Sequence, residues 1–150
     1  MSVAVGIVAH TKRAEQAHTL QDKARAVYLS MDNGHLGCSR NHRKVWSWLA
    51  EHSDADWLVV VEDDAIPVDG FRGQLDQALA ATPTPIVGLY TGSGFPPHFQ
   101  DRIRSATLCA DREQACWITG SLLYGVGICI RADLVPDMLD VTKSSTQGFD

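Results

Sequence analysis

The stretch that decides the fold is WLVVVEDD, residues 57–64, in which five consecutive apolar residues are followed by three carboxylates. A continuous apolar run of this length is typical of a strand covered on both faces, as in the parallel sheets of α/β proteins. The polar residues 53–56 interrupt the helical pattern that precedes it. We therefore predict that Trp57–Val61 is the central strand of a sheet and that the three carboxylates lie at its carboxyl end.

Strand and helix patterns alternate on both sides of this run. Apolar runs predict further strands at 3–9, 26–30, 86–90, 106–109, 117–119 and 122–130, with a turn-rich segment at 95–104. Apolar residues at helical spacing predict helices at 14–24, 39–52, 71–79 and 132–139, with Thr11 and Asp69 as N-caps of the first and third. This alternation predicts an α/β fold with a mostly parallel sheet.

Composition limits the classes of function. The chain has 150 residues, 45% of them apolar, and a formal net charge of −5, which is the profile of one compact domain. A mildly acidic chain lacks the clustered Lys and Arg that nucleic acid or an anionic membrane would need as the main partner. We find no transmembrane segment and no signal peptide pattern in the sequence, because the first apolar run is short and has no basic residues before it.

The four cysteines show no CxxC spacing, which argues against a zinc or redox motif of that type. A cytoplasmic location is the expectation for such a chain. A disulfide between Cys109 and Cys116 stays open as a minor alternative.

The acidic triplet Glu62-Asp63-Asp64 carries the most chemical information. Ligands of open α/β sheets bind beyond the carboxyl ends of the strands. Three adjacent carboxylates repel one another and call for a compensating cation, and no Lys or Arg stands close in sequence. In extended geometry Glu62 and Asp64 point to one side and Asp63 to the other. The outer pair is therefore predicted to hold Mg²⁺ or Mn²⁺. The alternative is a polar strand end followed by a solvated turn.

The stretch Gly34–Trp46, GHLGCSRNHRKVW, precedes an Asp-Trp pair and the apolar strand that ends in Glu-Asp-Asp. These elements resemble glycosyltransferase family 25, the lipooligosaccharide-biosynthesis type, which is similar in its sugar-nucleotide domain to procollagen galactosyltransferases. In that family a Gly-Cys pair, here Gly37 and Cys38, precedes a helical His, here His42. The resemblance covers about residues 1–65 well and the remainder weakly.

The resemblance implies a single GT-A type domain, a Rossmann-like three-layer sandwich, that transfers galactose or glucose from a UDP-sugar to the hydroxyl of a glycan or another acceptor. It implies that Mn²⁺, or Mg²⁺, and the diphosphate are held by Glu62 and Asp64, or by Asp63 and Asp64. The remaining nucleotide contacts are expected at the ends of the first three strands and on the helix between the second and the third: His10, Thr11, Arg13, Asp32, His42 and Asp63.

Structural alternatives stay open for several of these residues. Thr11 is also a plausible helix cap, and Asp32 is also a plausible turn residue with Asn33 and Gly34. His42 lies on the packed face of its helix, so it is either a core histidine or a functional one.

An inverting transferase also needs a carboxylate base, for which Asp111, Glu113 and Asp150 are the candidates. Family members would continue beyond Asp150, so the chain is interpreted either as a truncated form or as a minimal enzyme.

Two other classes of function compete with a transferase. One is a non-catalytic nucleotide-sugar-binding or scaffold domain of the same fold. The other is a receiver-like signalling domain, in which an apolar strand ending in acids also binds Mg²⁺. The first strand ends here without acids, and no Lys follows a late strand, which argues against the receiver.

Overall fold

The computed structural model describes residues 1–92, 94, 96–121 and 123–143. Within them the chain forms five strands and five α-helices, in the order β1 (Val3–His10), α1 (Ala14–Ala24), β2 (Tyr28–Asp32), α2 (Cys38–His52), β3 (Trp57–Glu62), α3 (Phe71–Ala81), β4 (Ile86–Gly88), α4 (Pro97–Glu113), β5 (Gly127–Arg131) and α5 (Val135–Thr142). Short 3₁₀ turns at Thr11–Arg13 and Ala132–Leu134 precede α1 and α5. No helix in these ranges has both the length and the apolar character needed to cross a membrane.

The strands form one sheet in the order β2-β1-β3-β5-β4. β1 pairs in parallel with β2 and β3, whereas β5 pairs antiparallel with β3 and β4. β4 consequently runs in the same direction as the first three strands, and β5 runs against all four. The predicted α/β class is confirmed, and β3 lies at the centre of the sheet as its apolar sequence indicates.

Helices cover both faces of the sheet, which gives three layers. Side chains alternate along β1, so Val5 and Ile7 pack with α1 and α3 while Ala4 and Val8 pack with α2 and α5. The side chains of β3 also alternate between the two faces of the sheet, and both faces are buried. Glu62, the last residue of β3, lies on the same face of the strand as Leu58 and Val60. This face is the one that α2 covers.

Gly6 allows α2 to approach β1 closely. A Cβ at this position would lie 2.5 Å from Cγ1 of Val45 and 3.1 Å from Cδ1 of Leu49, both on α2. Real Cβ atoms essentially never lie as close as 2.5 Å to another heavy atom, so a side chain at position 6 would force Val45 or α2 itself to shift. Gly6 therefore fixes how deeply α2 seats on β1.

Several sequence predictions are wrong in detail. The segment predicted as turns and a short strand forms α4, which begins at Pro97, a favoured residue for the first helical turn. Residues 117–119 are not a strand, and the second strand begins at Tyr28 rather than at Ala26. Pro97 and the neighbouring turn residues led the sequence analysis to predict a turn, and no side chain of this helix is fully buried.

The predicted helix caps are also wrong. The side chain of His10, not Thr11, accepts the N–H of Lys12 at the start of the 3₁₀ turn. α3 has Gly70 as its N-cap, with φ of 69°, and no side-chain cap, so Asp69 does not take that role. The cysteines, all of which lie in the described ranges, form no disulfide, so the Cys109–Cys116 alternative is not supported.

Candidate functional site

The carboxyl ends of β1, β2 and β3 meet at one edge of the sheet. His10 pairs with Asp32 in the β1–β2 register, and Val8 pairs with Glu62 in the β1–β3 register. The chain leaves β1 toward β2 on one side and crosses to β3 on the other, so the strand order reverses between β1 and β3. Ligands of open α/β sheets bind at such a switch point, beyond the strand ends. The acidic triplet lies there.

Asp63 joins the ends of β1 and β3. Its side chain is 2% exposed. One carboxylate oxygen, Oδ1, accepts from Nε and lies near Nη2 of Arg13, both at 2.7 Å, and the other, Oδ2, accepts the backbone N–H of His10 at 2.7 Å. The backbone N–H of Asp63 continues the sheet pairing to the carbonyl of Val8. Both oxygens of Asp63 are thus engaged by the protein.

Arg13 supplies a cation that the local sequence of the triplet lacks. Its hydrogen bond to Asp63 raises the pKa of the guanidinium, and the charges of Asp63, Asp64 and Glu62 raise it further against the opposing effect of burial. Arg13 therefore interacts electrostatically with all three carboxylates. The sequence calls for a cation near the triplet and has no Lys or Arg close by. The fold supplies one positive charge from Arg13, 50 positions earlier in the chain.

Glu62 faces α2 and contacts two of its side chains. Its Oε1 lies 2.9 Å from Nε2 of His42 and 3.8 Å from Sγ of Cys38. His42 is 2% exposed, whereas Cys38 is exposed at the first residue of the helix. His42 is therefore a buried histidine that ties α2 to the end of β3. Its position in the core agrees with the structural alternative, and its partner is a residue of the acidic triplet.

Asp64 has a different environment from Glu62. The strand ends at Glu62, and a turn closed by the Ala65 N–H and the Glu62 carbonyl follows at once. Strand alternation consequently does not extend to Asp64, so the prediction that Glu62 and Asp64 point to one side is wrong. Asp64 is exposed and lines a cavity of about 580 Å³ between the 64–68 loop, α3 and the segment after β4.

Asp64 is the member of the triplet that the protein leaves available. Within the described residues its side chain makes no hydrogen bond and no ion pair, in contrast to those of Glu62 and Asp63. Small-molecule sites commonly have volumes of about 300–1,000 Å³ and carry a few polar groups on apolar walls. The cavity beside Asp64 has the size of such a site and mostly apolar walls, formed among others by Phe71 and Leu89.

Asp32 organises the loop that leads into α2. Its two carboxylate oxygens accept the N–H groups of Leu36 at 3.1 Å and Gly37 at 3.0 Å. These hydrogen bonds, that of Leu36 first, lower the pKa of Asp32 below its ordinary value of 3.8 although partial desolvation opposes them. The arrangement accounts for Asp32 as a turn residue without a ligand.

Asn41 is a structural residue of the site for which the sequence assigned no role. It is 2% exposed, and its amide donates to the carbonyls of Ala9 at 3.2 Å and Ser30 at 3.1 Å. Its Oδ1 accepts the Ser30 hydroxyl at 2.6 Å. Asn41 thus locks α2 to the ends of β1 and β2. The sequence could have indicated this role, because Asn41 is a polar residue at a packed position of the helix, next to His42.

The remaining predicted residues are not drawn into this cluster. Thr11 is exposed on the 3₁₀ turn after β1. Asp111 and Glu113 are exposed in the last turn of α4, and the described contacts do not connect either with the triplet. Asp150 lies outside the described residues.

Comparisons with known proteins identify no relative. No protein-family model matches the chain, and neither the curated proteins nor the solved structures contain a match. The resemblance to glycosyltransferase family 25 accordingly stays a prediction.

The sheet order bears on the receiver-like alternative. Receiver domains have the parallel order 2-1-3-4-5. Here the antiparallel β5 lies between β3 and β4, so the order differs from the third strand onward. The receiver alternative thus loses the support of the topology.

Proposed function

We propose that this chain binds a UDP-hexose at the β1–β3 edge and transfers the hexose to an acceptor hydroxyl. The observation that carries the proposal is the position of Glu62-Asp63-Asp64 at the switch point of the sheet. Ligand sites of α/β sheets lie at this point, and carboxylates there suit a cation-bridged diphosphate. The sequence resemblance to family 25 glycosyltransferases supports the same reading.

The three carboxylates have separate tasks in this proposal. Asp63 positions Arg13, whose side chain is 47% exposed and whose guanidinium has N–H groups in excess of those used by Asp63. These groups are suited to a phosphate oxygen. Asp64, exposed beside the cavity, is the carboxylate available to a cation. Glu62 holds His42 and so fixes the start of α2 against the edge.

Asp64 would supply a carboxylate ligand to Mn²⁺ or Mg²⁺. Such hard ions take oxygen ligands, and enzymes commonly bind them through one or two carboxylates while phosphate oxygens and water complete the shell. An exposed carboxylate without a protein partner meets this need, whereas Asp63 has both oxygens occupied. When bound, the ion offsets the charge that develops on the UDP leaving group.

The protein's own contribution to transfer is positioning and charge. Arg13 stabilises negative charge at the diphosphate. The apolar walls of the cavity offer a surface against which the faces of the hexose ring can pack. An inverting reaction further needs a base at the acceptor hydroxyl. Asp111 and Asp150 are retained as proposals for that role.

The direct test is turnover of UDP-galactose and UDP-glucose with Mn²⁺, measured as UDP release with and without a mixture of glycan acceptors. We expect slow release in water, faster release with a suitable acceptor, and at least about a tenfold loss in Asp64→Asn. Asp54→Asn is the matched control, because Asp54 is also exposed but precedes β3 at the opposite edge of the sheet.

The same assay separates the transferase from the binding-domain alternative. Binding of the donor without UDP release under any of these conditions would favour a non-catalytic nucleotide-sugar-binding domain. Equal release by wild type and Asp64→Asn would refute the proposed site.

A further inference from the structure

We propose that Cys38, His42 and Glu62 form a zinc site at the junction of α2 and β3. The ligand atoms of these three side chains all lie within 4.8 Å of one another. The proposal concerns a different donor set from that assigned to Mn²⁺ at Asp64, and it does not depend on transferase activity.

The fold brings the three donors together from two elements. Cys38 and His42 are four residues apart on α2, so their side chains share one face of the helix. Glu62 is the last residue of β3, on the side of the sheet that α2 covers. The ligands are thus carried by a helix and a strand of the core and not by a mobile loop, which favours a defined geometry.

The separations of the ligand atoms are close to those around a small tetrahedral ion. With Zn–S of about 2.3 Å and Zn–N or Zn–O of about 2.0 Å, tetrahedral donors are roughly 3.3–3.6 Å apart. The His42–Glu62 contact is 2.9 Å and the Cys38–Glu62 contact is 3.8 Å, so they lie on either side of this range. The third pair, Cys38 and His42, lies within 4.8 Å. Binding of the ion would therefore replace the hydrogen bond between His42 and Glu62 and would draw Cys38 toward Glu62.

The surrounding structure holds the backbone of each ligand in place. Asp32 binds the Gly37 N–H directly before Cys38, and Asn41 anchors the helix next to His42. The N–H of Glu62 donates to the carbonyl of Val126 at 3.0 Å. Such supporting hydrogen bonds are typical of sites whose ligands are oriented before the metal arrives.

The donor set selects zinc over manganese or magnesium. A thiolate and an imidazole with one carboxylate suit Zn²⁺, while Mg²⁺ and Mn²⁺ prefer oxygen ligands. On binding, the thiol of Cys38 gives its proton to solvent, and His42 takes the tautomer whose Nε2 lone pair faces the ion. Three protein ligands leave a fourth position for water, and Cys38 is exposed, so the ion enters from that side.

The test is titration of metal-free protein with Co²⁺ in the absence of nucleotide. A Co²⁺–thiolate bond gives a charge-transfer band in the near ultraviolet, and Zn²⁺ should remove the band stoichiometrically while Mg²⁺ should not. Cys38→Ser should abolish it. Cys116→Ser is the matched control, because Cys116 is also exposed but lies after α4.

A second variant guards against loss of fold. Glu62→Gln keeps the shape of the side chain and should lower Co²⁺ affinity at least about tenfold with unchanged circular dichroism. Absence of the band in folded wild type, or its persistence in Cys38→Ser, would overturn the proposal. Zinc binding without UDP binding would support this site and refute the proposed function. UDP binding without zinc binding would refute this site and support the proposed function.

Discussion

Arg13 and Asp63 pair across the β1–β3 boundary. Nε and Nη2 of Arg13 both lie 2.7 Å from Oδ1 of Asp63, at a position where the carboxylate is almost fully buried. The contact connects the two strands between which the sheet order reverses. The ion pair therefore connects the ends of β1 and β3 and places one positive charge beside the acidic triplet.

A double-mutant cycle on this pair should show strong coupling. We expect Arg13→Ala and Asp63→Ala, alone and combined, to give a coupling free energy of about 1 to 2 kcal/mol, less than for a fully buried pair because Arg13 is half exposed. The measurement is urea unfolding. Arg13→Ala combined with Asp54→Ala is the additive control, and additivity in the Asp63 cycle would contradict the described contact.

Gly6 and Gly73 should respond in opposite directions to alanine. Gly6→Ala places a Cβ 2.5 Å from Val45, so we expect a loss of about 1 to 3 kcal/mol in unfolding free energy. Gly73 is exposed within α3 with nothing near its Cβ position, so Gly73→Ala should stabilise by about 0.5 to 1 kcal/mol. Chemical denaturation of both variants checks this, and a tolerated Gly6→Ala would disprove the close approach of α2.

Asn41→Ala should be strongly destabilising. It removes the partner of the Ala9 and Ser30 carbonyls and of the Ser30 hydroxyl in a buried setting, so we expect a cost of about 3 kcal/mol. Asn33→Ala, in the exposed loop after β2, should change stability by no more than about 0.5 kcal/mol. Similar values for the two variants in thermal and urea unfolding would show that Asn41 does not lock α2.

Asp32 should make stability depend on acid pH. Its folded pKa is lowered, chiefly by the N–H of Leu36, so its contribution is fully present above the ordinary value of 3.8 and is lost as pH falls through the lower folded value. Asp32→Asn should therefore lower the melting temperature by several degrees at pH 7 and flatten its fall toward pH 2. Melting curves across this range test it, with Asp54→Asn as the control expected to match wild type.

The sequence anticipated the elements whose apolar patterns are strong. The continuous run of β3 and the spaced apolar residues of α2 were recognised because burial of those residues imposes the pattern. α4 was missed because Pro96 and Pro97 are typical of a turn, and because its apolar residues, such as Phe99 and Ile103, are only partly buried. The reversed direction of β5 could not be predicted, since an apolar run does not encode the direction of a strand.

The sequence predicts that the triplet lies at a strand end, as the structure shows, but it does not predict the contacts of the three carboxylates. The position of the triplet follows from the apolar strand before it. The pairing of Asp63 with Arg13 depends on which strands are neighbours. The pairing of Glu62 with His42 depends on how α2 packs on the sheet. The turn after Glu62 likewise separates Asp64 from Glu62, a result that strand alternation alone does not give.

The most direct test of the central claim is calorimetric titration of UDP into metal-free protein with Mn²⁺ or EDTA added. The account predicts binding that requires Mn²⁺, weakens at least about tenfold in Asp64→Asn and is unchanged in Asp54→Asn. Absence of binding by folded wild type, or equal binding by Asp64→Asn, would contradict a nucleotide site at the carboxyl ends of β1 and β3.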